Sequence, residues 1–139
     1  MSAPLESHSV SDAQLLDMTR DLLDSIDNRD WPRYQELCDD SLTAFEPEAA
    51  GHLVEGMGFH EFYLAGGPDG ATRQSTISSP HVRRMAPVAI VSYVRLVQVT
   101  TPEGHTSTTT MEETRVWHEQ ESGWQHVHFH RSPAGTHLL

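Results

Sequence analysis

Two stretches near the C-terminus constrain this chain more than any other part of it. Glu112-Glu113-Thr114-Arg115-Val116-Trp117-His118 and Trp124-Gln125-His126-Val127-His128-Phe129-His130-Arg131-Ser132 alternate in character along their length, and a polar turn from Glu119 to Gly123 separates them. Such alternation across a turn predicts two antiparallel strands. It also sets arginines among apolar strand residues, in a chain whose nine basic residues are all arginine and whose formal charge is −11. That balance makes nucleic acid and anionic membrane poor partners. Each arginine on an apolar face therefore needs an acidic partner or an anionic ligand, and the planar guanidinium fork suits a carboxylate or phosphate.

The rest of the chain reads as cover for one face of this sheet. Ser11-Asp12-Ala13-Gln14 has the capping-box pattern, and Leu15, Leu16, Leu22, Leu23 and Ile26 follow at helical spacing, so a first helix runs to about Ile26 and ends at Asp27-Asn28. A second short helix fits Asp30 to Cys38, with Pro32 in its first turn, and Leu42 to Glu46 alternates as a strand before Pro47. Residues 48–58 read as a loop, Phe59 to Leu64 as a third helix, and Gly66-Gly67-Pro68-Asp69-Gly70 as a break. Four strands follow, at about 72–85, 88–100, 105–118 and 124–131. Helices followed by a run of strands predict an α+β fold: a curved antiparallel sheet with the N-terminal helices packed on its concave face, and a pocket at the mouth of the cone.

A length of 139 residues fits one domain, expected over 11–133 between a disordered leader at 1–10 and a tail at 134–139. The single cysteine, Cys38, excludes an internal disulfide and reads as a packed core thiol compatible with a reducing cytoplasm. No apolar run is long enough to span a membrane.

Strand alternation then assigns faces. Val91, Tyr93, Arg95, Val97 and Val99 share one face, as do Met111, Glu113, Arg115 and Trp117. A hairpin loop of odd length would join Arg115 and Trp117 to Val127, Phe129 and Arg131, leaving His126, His128 and His130 together on the reverse side; an even loop would set Arg115 opposite the histidines. The odd loop separates apolar from polar faces and is the expected one. Arg95, Arg115 and Arg131 then point under the helices, where they need Glu46, Glu48, Glu112 or Glu113 as partners, or a bound anion. A structural ion-pair network and a ligand-binding cluster are equally open readings at this point.

The same residues carry a resemblance. Tyr34 through Asp39, Leu42 through Ala49 (LTAFEPEA), Leu53-Val54-Glu55-Gly56, Phe59-His60 with Phe62-Tyr63, Pro80-His81, Tyr93-Val94-Arg95, Glu112 through His118 (EETRVWH) and Val127 through Ser132 (VHFHRS) occur in this order over residues 11–133. In these segments the chain resembles the association, or hub, domain of the calcium/calmodulin-dependent protein kinase II family. The resemblance implies the nuclear-transport-factor-2-like cone, assembly of subunits into a homo-oligomer (a dimer or a larger ring), and a pocket that takes small carboxylates such as γ-hydroxybutyrate analogues. It places the pocket arginines on Arg95, Arg115 and Arg131 and a pocket-edge histidine on His60. The chain departs from the family at Ala65 to Ala71, glycine-rich where the kinases carry a tryptophan-containing loop, and at His126, which replaces an aliphatic residue. Its length leaves no space for a kinase domain, and its lysine-free composition suggests a free-standing bacterial relative.

Two other readings come from different chemistry. The cone fold also hosts ketosteroid-isomerase-like and polyketide-cyclase-like (SnoaL-like) enzymes, for which Glu46, Glu48, His60, Tyr63 and Glu113 could supply an acid and a base. His126, His128 and His130, if they share a strand face with His118 beside them, could hold a metal through two of their number. An arginine-lined pocket favours holding an anion over removing a proton, and the histidines read first as a polar outer face or a subunit interface. No cofactor is expected.

Overall fold

The computed structural model describes residues 10–135; the expected leader therefore lies almost wholly outside the described residues, as does most of the expected tail. The first helix, α1 (Asp12–Asp27), begins where the sequence pattern puts it: Gln14 N donates to Ser11 Oγ at 3.1 Å, and Ser11 N donates to Gln14 Oε1 at 2.8 Å. Each bond satisfies a main-chain donor near the helix start. A second helix, α2 (Trp31–Leu37), starts from Asp30, whose carboxylate accepts from Arg33 N at 3.2 Å, with Pro32 in the first turn where its missing N–H costs nothing. It ends one residue before Cys38, which opens strand β1 (Cys38–Phe45) rather than closing the helix. A single 3-10 turn (Pro47–Ala49), strand β2 (Val54–Glu55) and helix α3 (Gly58–Leu64) precede four long strands. These are β3 (Thr72–Met85), β4 (Val88–Thr100), β5 (Thr106–Gln120) and β6 (Gly123–Pro133).

The six strands form one sheet in the order β2-β1-β6-β5-β4-β3. The sheet is mixed, which corrects the expectation of a wholly antiparallel one: β1 lies parallel to β6, pairing Ala44 with Phe129 and Phe45 with His130. Between β1 and β3 the chain passes through the 3-10 turn, β2 and α3 and crosses to the opposite edge of the sheet, where the antiparallel meander starts. The two-residue strand β2 falls inside the stretch expected as loop and pairs antiparallel with β1.

Helix α1 lies across the inner side of β3 and β4. Leu15, Leu22 and Leu23 of α1 and Tyr34 and Leu37 of α2 are buried against Ala89, Val91, Tyr93, Trp117 and Phe129 of the sheet. Each fully buried leucine stabilises the fold by about 1.5–3 kcal/mol. Thr19 is buried among them without an orphaned hydroxyl. It donates to Leu15 O at 2.9 Å and accepts from Trp117 Nε1 at 3.2 Å, so the largest core side chain has its one donor satisfied. Among the described residues, no helix is long and apolar enough to cross a membrane.

The β5–β6 hairpin reaches the expected face by an unexpected route. Gln120 pairs with Gly123, so the loop is the two residues Glu121 and Ser122, an even number. Gly123 at φ 114° occupies backbone space that only glycine enters freely. A bulge at Val127 then shifts the register by one residue, so Trp117 pairs with His126 whereas Arg115 pairs with Phe129 and Glu113 with Arg131. The arginines thus share the inner face, but His126 does not join His128 and His130 outside. It is buried on the inner side, its ring centroid 5.3 Å from that of Trp117 and 5.6 Å from that of Phe129.

Candidate functional site

Between the helices and the inner faces of β4, β5 and β6 lies a cavity of about 250 Å³. Strand alternation brings Arg95, Arg115 and Arg131 to its wall, and the turn after β1 brings Glu46 and Glu48. His60 enters from α3, and Tyr63, half-exposed, stands at the edge.

The floor is an ion-pair ladder. Arg95 gives Nη2 to Asp27 Oδ1 at 2.7 Å, Nη1 to Glu113 Oε2 at 3.1 Å and Nε to Ser75 Oγ at 2.8 Å. Arg115 gives Nη2 to Glu113 Oε1 at 2.8 Å and Nε to Tyr93 Oη at 3.2 Å, and its guanidinium carbon sits 4.2 Å from the centroid of Phe129. Tyr93 Oη in turn donates to Glu113 Oε1 at 2.7 Å. Glu113 thus accepts from three donors, which is why it stays ionised in the interior. Burial alone would raise its pKa, but the charges of Arg115 and Arg95, with the hydrogen bonds, bring it from 4.5 down to about 2. Asp27, at the end of α1, was absent from the expected partners. Its signal lay in the helix period, since Leu15, Thr19, Leu23 and Asp27 recur every fourth residue and all are buried.

Arg131 differs from the other two. Its side chain is 18% exposed against 5% for Arg95 and 1% for Arg115. Its Nη2 meets Glu46 Oε1 at 3.5 Å and also contacts Glu48, and both contacts use that one nitrogen. Glu48 is 41% exposed; burial raises its pKa, but Arg131 lowers it further, leaving it below the usual glutamate range. Glu46 also accepts from His60 Nε2 at 2.8 Å, and the His60 ring packs against Tyr34 and Phe129. Three buried polar atoms lining this region have no partner among the described residues: Arg115 Nη1, Asp27 Oδ2 and His60 Nδ1.

The histidine triplet is not a metal site of the kind considered from the sequence. His126 faces inward, with Nδ1 3.4 Å from Cys38 Sγ, whereas His128 faces outward and shares a hydrogen bond of 2.8 Å with Thr43 Oγ1. The bulge at Val127 breaks the alternation on which a shared face depended. Among the described residues no group of three or more His, Cys, Asp or Glu side chains is placed to hold a metal ion. Cys38 is buried, and burial pushes its pKa up to about 12, so it is a packed thiol.

Helices laid in the concavity of a curved sheet, with a polar cavity beneath them, define the NTF2-like class of cone. An NTF2-like protein from Cytophaga hutchinsonii has this fold, with a TM-score of 0.73 at 21% identity over 91% of this chain and 100% of that one. Within that class, the chain belongs to the calcium/calmodulin dependent protein kinase II association domain family, whose model matches residues 11–135. It is 44% identical over 122 residues to the calcium/calmodulin-dependent protein kinase type II alpha chain of Drosophila melanogaster, covering 86% of this chain and 23% of that protein. The association domain of C. elegans CaMKII superposes with a TM-score of 0.81 at 37% identity, covering 91% of this chain and 98% of that one. The chain thus spans about a quarter of the length of the curated relatives it matches.

Proposed function

We propose that this chain is a self-associating hub-type domain whose cavity holds a small carboxylate, with Arg131 as its anchor. Self-association is supported by membership of a family described as an association domain. The sheet itself adds a physical reason. Helices cover its inner face, while Ile90, Val94 and Leu96 of β4 alternate onto the outer one and are half-buried within a single chain. A second copy laid on that aliphatic face would remove it from water.

The carboxylate reading rests on one observation: Arg131 reaches the cavity while its contacts to Glu46 and Glu48 use only Nη2. An incoming carboxylate can exchange for Glu48, which is already partly in water and costs little to release. Arg95 and Arg115 act from beneath as fixed positive charges, and Arg115 Nη1 is a buried donor without a partner among the described residues. His60 and Glu113 set the positions of Glu46 and Arg115. The test is titration calorimetry with 4-hydroxybutyrate: Arg131→Gln removes binding and Glu48→Gln tightens it. Equal binding by wild type and Arg131→Gln refutes the anchor.

The Glu46–His60 pair supports a second reading, a small isomerase- or cyclase-type enzyme, because a carboxylate that orients an imidazole is the core of many proton-transfer sites. Glu48, Tyr63 and Glu113 would be its further candidates for acid or base. That reading predicts exchange of an α-proton of a bound ketone into deuterated water, lost in His60→Gln. Without such exchange, the pair serves to hold the pocket.

A further inference from the structure

Two more arginines line the same cavity: Arg29, just after α1, and Arg73, on β3. Arg29 follows α1 in a left-handed backbone conformation, φ 51°, that a side-chain-bearing residue adopts at a cost of about 1–2 kcal/mol. That conformation turns the chain at the helix end, and Arg29 Nη1 donates to Tyr63 O at 3.2 Å. Arg73 stands at the start of β3.

Both guanidiniums hold one carboxylate. Arg73 binds Asp69 through two parallel bonds, Nη1 to Oδ1 at 3.0 Å and Nη2 to Oδ2 at 2.8 Å, and Arg29 Nη2 lies 3.2 Å from the same Oδ2. This is the two-pronged geometry that arginine offers to a carboxylate. The carboxylate comes from a loop, not from a packed element. Gly67 and Gly70 flank Asp69 at φ +74° and +90°, no side-chain atom lies within reach of a Cβ at Gly67, and Asp69 is 38% exposed. An ion pair with an exposed aspartate on a glycine loop adds little stability. It does show that Arg29 and Arg73, which both line the cavity, can together grip a carboxylate.

This inference rests on the carboxylate reading of the cavity. We propose that Arg29 and Arg73 form a second carboxylate subsite, occupied by Asp69 as an internal stand-in, and that the ligand is a short dicarboxylate. One of its carboxylates sits at Arg131 in exchange for Glu48, and the other displaces Asp69. A cavity of about 250 Å³ is smaller than the roughly 300–1,000 Å³ of sites for drug-sized molecules and suits a short diacid. Asp69 and Glu48 then have the same role at two places: each is a partly exposed acid that occupies the arginines of its subsite until the ligand arrives.

The experiment titrates butyrate and glutarate into the 139-residue chain by calorimetry. Glutarate binds at least tenfold tighter than butyrate. Arg73→Gln or Arg29→Gln removes the advantage of glutarate over butyrate, whereas Asp69→Asn enlarges it. Arg20→Gln, on an arginine 56% exposed on α1, removes the same charge elsewhere and controls for net charge. If butyrate binds through Arg131 but glutarate gains nothing, or if Asp69→Asn weakens or leaves unchanged the binding of glutarate, the second subsite is refuted and the single-carboxylate reading stands. If neither acid binds the wild type, the carboxylate reading itself fails and this inference fails with it.

Discussion

Asp27, the last residue of α1, meets Arg95 in the middle of β4 at 2.7 Å, with the two side chains 3% and 5% exposed. This pair joins the helical layer to the sheet at the cavity floor. Removing one partner leaves the other charged and buried, at a cost of about 3–5 kcal/mol. Asp27→Ala should therefore lower unfolding free energy by that order in urea melts, with Asp27→Asn intermediate. A loss below about 1 kcal/mol would mean that Glu113 and Ser75 alone suffice for Arg95.

Acid should weaken the ladder through Glu113. Its pKa in the folded chain is about 2 against 4.5 when unfolded, so between these values the unfolded state binds the extra proton. The stability that Glu113 contributes is full above about 4.5 and is lost as pH falls towards about 2. In Glu113→Gln that part of the pH slope disappears, on a lower baseline. An identical slope in wild type and variant would show that the proton goes elsewhere.

His126 makes a separate prediction at higher pH. Burial, together with the charge of Arg115, holds its pKa well below 6.5, and Nε2 has no partner among the described residues. The unfolded chain thus takes a proton below about pH 6.5 that the folded chain refuses, and stability falls as pH drops through that region. His126→Leu should flatten this slope and raise stability near pH 5.5, since an apolar side chain leaves no unsatisfied nitrogen. A variant less stable than wild type at pH 5.5 would instead assign the imidazole a net favourable bond to Cys38.

Cys38 should be inert. With its thiol buried and its pKa up to about 12, it should resist alkylation by iodoacetamide at pH 8 in the native chain and react fully in denaturant. Rapid native alkylation would reveal an opening of the β1 edge that the packing of Tyr34 and Leu42 does not suggest.

Much of this was legible in the sequence, and the failures have physical causes. Helix α1 follows from its apolar period, its cap from the Ser11–Gln14 pattern, and the face that Arg95 shares with Tyr93, like the one Arg115 shares with Trp117, from strand alternation. The turn length did not follow, because an even loop plus a bulge at Val127 yields the same arginine face as an odd loop. The bulge also explains the misplacement of His126, since it flips only the residues before it. The parallel β1–β6 pairing joins strands from opposite ends of the chain, which local patterns cannot report. Asn28 is the ordinary stop signal at this helix end, and taking Asp27 together with it as part of the break hides the four-residue spacing from Leu23 that puts Asp27 on the buried side. Arg29, Asp69 and Arg73 meet only through a loop and a helix end, so no period reveals them.

Whether this chain associates with copies of itself is decided by its native mass. Multi-angle light scattering on the purified chain at neutral pH, across a range of concentrations, should give a multiple of 15.6 kDa, at least a dimer. A single species at 15.6 kDa throughout would contradict self-association.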